Sequence, residues 1–137
     1  IFAHPDILPI KTRKIPLIGE IACGEPIFAN QDYESYVEVG TDVKADFAVR
    51  ASGSSMLPKI QEGDIVFVAE QPIVEENEVA VVIINDEVTL KRYRRIREDT
   101  VMLLPDNPEH NAIFIDLKDN PNIRILGKAI ALQRDIK

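Results

Sequence analysis

The chain is predicted to fold as an all-β domain, and two features of the sequence lead to this prediction. Short segments rich in β-branched and aromatic residues recur along most of the chain, separated by turn-forming residues. The clearest turn is Asn85-Asp86, and Gly63-Asp64 and residues 105–110 mark two others. Helical character is confined to residues 55–60, where Pro58 interrupts it. Short strands with frequent turns are typical of a β-barrel or a β-sandwich.

The elements can be assigned in order along the chain. Residues 1–14 combine prolines and basic side chains without any period, which is typical of a linker arriving from an upstream domain. Residues 15–34 begin with an apolar stretch, in which we expect an extended segment with a turn near Cys23-Gly24; an ordinary edge strand is the alternative. Residues 35–137 form the main predicted domain, with strands at 35–39, 47–51, 64–69, 78–84, 87–93, 100–104, 113–116, 123–126 and 128–132.

Size and composition narrow the class of protein. The 137 residues suffice for one domain, and 45% hydrophobic with 28% charged residues is typical of a soluble globular protein. The sequence contains neither an apolar run of about 20 residues nor a signal peptide. Its one cysteine cannot form an internal disulfide. We therefore predict a cytoplasmic protein without a membrane partner. The net charge of −7 argues against nucleic-acid binding by this segment itself. Because the chain begins without Met, we expect a fragment of a longer protein.

A serine-rich turn is the first candidate site. Gly53 precedes Ser54 and Ser55, and glycine tolerates the backbone angles of a sharp turn that presents a side chain together with backbone N–H groups. Such N–H groups can stabilise the oxyanion that forms when a peptide carbonyl is attacked. A purely structural turn rich in serine and glycine is the alternative interpretation.

Lys91 is the second candidate, because a neutral lysine can activate a serine hydroxyl. Strand alternation places Lys91 on the same face as Thr89 and Tyr93. Lowering its pKa from ~10.4 to about 7–8 costs roughly 3–5 kcal/mol, which burial beside apolar groups can impose. The hypothesis therefore requires Lys91 to be largely buried and unpaired; a surface lysine on an edge strand is the alternative.

Two other groups of residues were weighed for function. His4 lies in the linker and His110 in a polar loop, and neither has a recognisable partner, so a Ser-His-Asp arrangement has little support. The basic run at residues 91–97 includes Tyr93 and is interpreted as a solvated loop, with a nucleoprotein contact as the alternative.

Five ordered segments carry a resemblance to a known family. The chain resembles the C-terminal domain of the LexA-like self-cleaving repressors, which include lambda-type phage repressors and the UmuD mutagenesis proteins. The matching segments are IPLIGEIACGEP (15–26), VRASGSSM (49–56), EGDIV (62–66), DEVTLKR (86–92) and LLPDN (103–107). The resemblance implies an all-β autoprotease domain of the β-clip type with a mobile cleavage-site segment, covering roughly residues 15–133.

The resemblance also implies roles for the residues of the serine-rich turn and for the lysine. Ser55 would be the nucleophile, and Lys91 the general base that later protonates the leaving amine. The backbone N–H groups of Ser54 and Ser55 would form the oxyanion hole. The turn itself would be shaped by Ser52, Gly53 and Met56.

The substrate implied by the resemblance is the chain itself. The scissile bond would be Cys23–Gly24, preceded by Ile21 and Ala22 in the cleavage-site segment 15–34. Alanine is the usual residue before the cut, but UmuD-like members carry cysteine, so Cys23 is a tolerated departure. A small buried apolar residue is the structural interpretation of Cys23.

The resemblance also bears on the partners of the protein, and other functions remain as alternatives. The resemblance implies a homodimer, for which the apolar residues 123–132 are interface candidates unless they are simply core. It implies an upstream helix-turn-helix domain that binds operator DNA, and activation by a RecA–single-stranded DNA filament. No cofactor or metal is expected. The alternatives are a repressor dimerisation module that does not cut, a UmuD-like polymerase accessory protein and, less suited to the sequence, a signal peptidase.

Overall fold

A computed structural model describes residues 11–18, 33–119 and 122–136 of the chain. These residues contain nine strands and no helix, which confirms the prediction of an all-β fold. No helix in this part of the chain is long and apolar enough to cross a membrane. The strands are β1 (Thr12–Ile18), β2 (Tyr33–Gly40), β3 (Phe47–Arg50), β4 (Ile65–Glu70), β5 (Val79–Ile84), β6 (Glu87–Arg97), β7 (Thr100–Leu104), β8 (Ile113–Asp116) and β9 (Ile123–Gln133).

The nine strands form a single sheet in the order β2-β1-β3-β4-β9-β5-β6-β7-β8. Neighbouring strands are antiparallel except β1 and β3, which meet in parallel at Leu17 and Ala48. The last strand of the chain, β9, therefore lies between β4 and β5 and joins the two halves of the sheet. In this order, three strands (β4, β9 and β5) lie between β3 and β6. The turn with Ser55 follows β3, and Lys91 lies in β6.

The hydrophobic core shows how the sheet brings β3 and β6 together. One cluster of buried side chains contains Phe47 from β3, Val66 from β4, Val81 from β5, Leu90 from β6 and Leu126 from β9. Because one cluster receives side chains from five successive strands, the sheet curves around it. Two further clusters lie at the β1–β2 end of the sheet and at the β7–β8 end.

The predicted hairpin between β5 and β6 is confirmed. Asn85 and Asp86 have φ angles of 49° and 68°, so both central residues are left-handed, as a type I′ turn requires. The pairing of Ile84 with Glu87 fixes the register. This register places Lys91 opposite Ala80, in the middle of the β5–β6 ladder.

Several predicted boundaries were wrong. Strand β6 continues to Arg97, so the basic run predicted as a solvated loop lies in a strand paired with β7. The two strands predicted at 123–126 and 128–132 are one strand, β9, which passes through Gly127. There, a Cβ atom would lie 2.3 Å from the carbonyl oxygen of Ala69, so glycine permits close approach to β4 rather than ending the strand. Strand β1 begins at Thr12, inside the segment predicted as a linker.

The short helix expected at residues 55–60 is absent. This stretch forms consecutive turns, with hydrogen bonds from the Leu57 N–H to the Ser54 carbonyl and from the Ile60 N–H to the Met56 carbonyl. Pro58 has no N–H to donate, so a regular helical ladder cannot continue through it. Met56 and Ile60 are buried and anchor the turns to the core.

Candidate active site

The serine-rich turn lies between β3 and β4, above the main core cluster. Gly53 has a φ angle of 81°, which other residues rarely adopt, so the predicted need for glycine at this turn is met. The base of the turn is closed by hydrogen bonds from the Ala51 N–H to the Asp64 carbonyl and from the Gly63 N–H to the Ala51 carbonyl. The side chain of Ser55 is half-buried at the top of this turn.

Lys91 reaches the turn from β6. Its Nζ lies 2.9 Å from Ser55 Oγ and 2.8 Å from Thr89 Oγ1. Lys91 is only 8% exposed, so the burial that the sequence hypothesis required is present. Burial lowers the pKa of Lys91 from the ordinary lysine value, and among the described residues no carboxylate counteracts this effect. A neutral amine in contact with a serine hydroxyl can accept its proton.

His110 does have a partner, contrary to the sequence interpretation. Its Nε2 atom lies 2.9 Å from the hydroxyl oxygen of Ser54, not from Ser55. Both side chains are exposed, whereas Ser55 faces Lys91. The structure therefore gives His110 no contact with the candidate nucleophile.

Thr89 and Asn107 were missed as site residues by the sequence analysis, which considered His110 only as a possible base without a partner. The alternation of β6 already placed Thr89 on the face of Lys91, but it said nothing of a contact between them. Asn107 is buried, and its amide nitrogen donates to the Ser54 carbonyl at 2.9 Å. Only its position in the matched segment at residues 103–107 drew attention to it.

A cleft of about 770 Å³ runs past Ser55 and Lys91. Its walls combine the serine-rich turn with the β5–β6 hairpin. The apolar residues that line it are Ile18, Val49, Ala51, Met56, Ile60, Ile84, Val88, Leu90 and Ile113. Besides Ser55 and Lys91, the polar and charged residues of the lining are Arg50, Ser52, Asn85, Asp86, Glu87 and Thr89. A cleft with this mixed lining can hold an extended segment with a peptide group beside Ser55 and Lys91.

Ile21, Ala22, Cys23 and Gly24 lie outside the described residues. The described part of the expected segment, up to Ile18, belongs to β1, and Ile18 itself lines the cleft. The chain therefore enters the undescribed stretch from the wall of the candidate site.

Comparison with known proteins identifies the family. Residues 16–130 match the Peptidase S24-like family. A LexA repressor of Saccharophagus degradans is 39% identical over 132 residues, covering 93% of this chain and 65% of that protein. A LexA repressor of Oleidesulfovibrio alaskensis is 33% identical over 135 residues, covering 96% of this chain and 64% of that protein. The chain thus spans less than two thirds of the length of these relatives.

This match supports a domain of the serine peptidase kind. More particularly, the chain belongs to the Peptidase S24-like family. The resemblance to LexA repressors inferred from five short segments is confirmed.

Proposed function

We propose that this chain is the C-terminal domain of a transcriptional repressor that cuts itself between Cys23 and Gly24. The observation that carries the proposal is the 2.9 Å contact between Lys91 Nζ and Ser55 Oγ, made by a lysine that is 8% exposed. Burial favours the neutral amine, and only the neutral amine can take the serine proton. The curated relatives are LexA repressors, which supports the repressor role.

The proposed reaction has two steps. As Ser55 Oγ attacks the carbonyl carbon of Cys23, its proton passes to Lys91 Nζ, and the N–H groups of Ser54 and Ser55 stabilise the oxyanion. The C–N bond then breaks, and the Lys91 ammonium protonates the departing amine of Gly24. Water, deprotonated by Lys91, hydrolyses the resulting ester and regenerates Ser55. Because both partners belong to one chain, the effective concentration is high and a modest nucleophile suffices.

The consequence of the cut is separation of two functions. We propose that this domain holds the repressor together as a homodimer, while an upstream domain binds operator DNA. Ile130 and Leu132 on β9 are each 37% exposed and Ile136 is fully exposed, which supports a dimer contact along the end of the chain. The net charge of −7 makes this domain itself a poor ligand for DNA.

We further propose activation in the cytoplasm by a RecA–single-stranded DNA filament. The filament would act by binding the arrangement in which the cleavage segment occupies the cleft more tightly than the alternative arrangement. It can shift the balance only by that difference in affinity.

The test is intact mass after incubation over about pH 6–10, a range that ends near the ordinary lysine pKa of ~10.4. Fragments 1–23 and 24–137 are expected to appear, faster as pH rises because more Lys91 is neutral. The rate should level off at a pH below the ordinary lysine pKa, because burial lowers the pKa of Lys91. Ser55→Ala and Lys91→Ala variants should remain intact.

Lys118→Ala is the matched control, because Lys118 is 77% exposed and pairs with Asp99 at the surface. It should cleave at the parent rate. Cleavage in the Ser55→Ala variant, or a rate that is flat with pH, would show the mechanism to be wrong. If the parent chain stays intact even with an activated recombinase filament, the proposed cleavage is wrong, and the remaining interpretation is a dimerisation module that does not cut.

A further inference from the structure

The loop at residues 105–110 is tied to the nucleophile turn by one buried asparagine. Asn107 is 8% exposed, and its side-chain Nδ2 donates to the Ser54 carbonyl at 2.9 Å. Its backbone N–H donates to the Ser55 carbonyl at 3.0 Å. Its Oδ1 accepts from the Glu109 N–H at 3.0 Å, and its carbonyl accepts from the His110 N–H at 3.1 Å. One residue thus contacts two successive peptide groups of the turn.

The geometry of a peptide group gives these contacts a directional meaning. The carbonyl of Ser54 and the N–H of Ser55 belong to the same peptide plane and point in opposite directions. A donor that fixes the Ser54 oxygen therefore fixes the direction of the Ser55 N–H bond at the other end. A hydrogen bond to the carbonyl also polarises the peptide group, which makes its N–H a better donor.

The Ser54 carbonyl has a second, weaker donor. The Leu57 N–H approaches it at 3.3 Å, close to the upper limit of a hydrogen bond. That contact closes the local turn and does not depend on the loop. Loss of the Asn107 contact should therefore loosen the peptide group without releasing it completely.

The loop is itself held by β6, the strand that carries Lys91. Asp106, the residue before Asn107, accepts two hydrogen bonds from the Arg92 guanidinium, at 2.8 and 3.2 Å. Arg92 Nη1 also donates to the Asn77 carbonyl at 2.7 Å. Two-point pairing of this kind restricts orientation as well as distance. Successive residues of β6 thus position the base and the loop that contacts the nucleophile turn.

We propose that Asn107 is a positioning residue that directs the Ser55 N–H group towards the oxyanion by holding the carbonyl oxygen of Ser54. This inference rests on the proposed function, in which the Ser55 N–H is an oxyanion donor. In the described part of the chain, Asn107 is hydrogen-bonded to the peptide groups of Ser54 and Ser55 and to neither Ser55 Oγ nor Lys91 Nζ, so it acts through the peptide groups. Among the described residues, no acceptor is bonded to the Ser55 N–H, so it is available for this task.

The test compares self-cleavage rates of the parent with two variants of Asn107. Asn107→Asp keeps the shape and the acceptor for Glu109 but replaces the donor facing the Ser54 oxygen with a carboxylate oxygen. Asn107→Ala removes the donor without adding charge. Removing an oxyanion donor slows related reactions by about 10²–10³-fold, so misdirecting one should slow cleavage by roughly 10–100-fold in both variants.

Asn111→Asp is the control, because Asn111 is exposed nearby and undergoes the same change in charge. It should cleave at the parent rate. The pH profile separates positioning from general damage to the site. In Asn107→Ala, which adds no charge, positioning lowers the plateau rate and leaves the midpoint of the profile unchanged, because Lys91 stays buried. A parent rate in either Asn107 variant, or in Asn107→Ala a midpoint that moves towards the ordinary lysine pKa, would overturn the inference.

A second measurement does not depend on cleavage. Residual dipolar couplings of the Ser55 N–H bond report its orientation and should change in Asn107→Ala but not in Asn111→Asp. An unchanged coupling refutes the inference even if cleavage slows. If the parent never cleaves while the coupling changes, the proposed function has failed and the orientation by Asn107 stands.

Discussion

Replacing Thr89 with valine gives the sharpest test of how Lys91 is prepared for its proposed role. Thr89 Oγ1 lies 2.8 Å from Lys91 Nζ, which also contacts Ser55 Oγ at 2.9 Å. A neutral amine has one lone pair and two N–H bonds. If one N–H donates to Thr89, the lone pair can face the Ser55 hydroxyl. Valine keeps the shape of threonine and removes the acceptor.

The magnitude follows from the two charge states of Lys91. A hydrogen bond between neutral groups contributes about 0.5–1.5 kcal/mol, and one to a charged group about 1.5–3 kcal/mol. Losing Thr89 therefore destabilises the ammonium more than the amine, by about 1 kcal/mol. This difference changes the ratio of amine to ammonium roughly fivefold and lowers the pKa of Lys91 further, beyond the effect of burial.

Two opposite effects on cleavage are expected from Thr89→Val. The plateau rate should fall about 2–10-fold, because the amine is less often oriented towards Ser55. The midpoint of the pH profile should move to lower pH, because more Lys91 is neutral at a given pH. First-order cleavage rates by intact mass measure both, and Thr100→Val is the control because the Thr100 hydroxyl contacts Asp99 instead.

The reasoning is refuted if the midpoint stays in place or moves to higher pH. The pKa of Lys91 can also be measured directly, without cleavage. The Cε resonance of Lys91 can be titrated in a Ser55→Ala background, which keeps the chain intact. Adding Thr89→Val to that background should shift the titration to lower pH.

Two further predictions concern stability. The guanidinium of Arg134 holds the pKa of the buried Asp64 below its usual range, so this pair stabilises the fold above about pH 4 and less as pH falls. Asp64→Asn should lower the Tm at neutral pH and make the Tm decrease less steeply as the pH falls into the acid range. An equally steep decrease of the Tm in parent and variant would contradict this. Gly127→Ala should destabilise by about 1–3 kcal/mol in urea unfolding, because its Cβ would meet the Ala69 carbonyl at 2.3 Å. In Gly40→Ala, the new Cβ would meet only the flexible side chain of Asp42, so the free energy of unfolding should hardly change. An equal loss of stability in both variants would refute the argument.

The parts of the fold that the sequence could predict depend on local patterns. The Asn85-Asp86 hairpin was predictable because its two residues tolerate left-handed angles and separate two apolar segments. Alternation along β6 placed Thr89 and Lys91 on one face. The chemistry of serine and lysine suggested a pair, the family resemblance singled out Ser55 and Lys91, and the structure brings them into contact.

The parts that could not be predicted depend on contacts between distant segments. Gly127 looked like the end of a strand because its effect depends on β4, which only the folded sheet brings against it. The basic end of β6 looked like a loop because pairing with β7 is not visible in its composition. Asn107 and His110 contact the turn across more than fifty residues of sequence, so no local pattern announces them.

The position of Lys91 in the sheet explains how a destabilising residue is retained. The unfolded chain keeps a proton on this lysine at neutral pH, whereas burial in the folded chain favours the neutral amine. The unfolded state therefore binds more protons, and Lys91 opposes folding more strongly as pH falls. A lysine in a flexible loop would escape this cost by turning into water. Lys91 cannot, because Leu90 beside it is packed in the core and β6 is paired with β5 and β7.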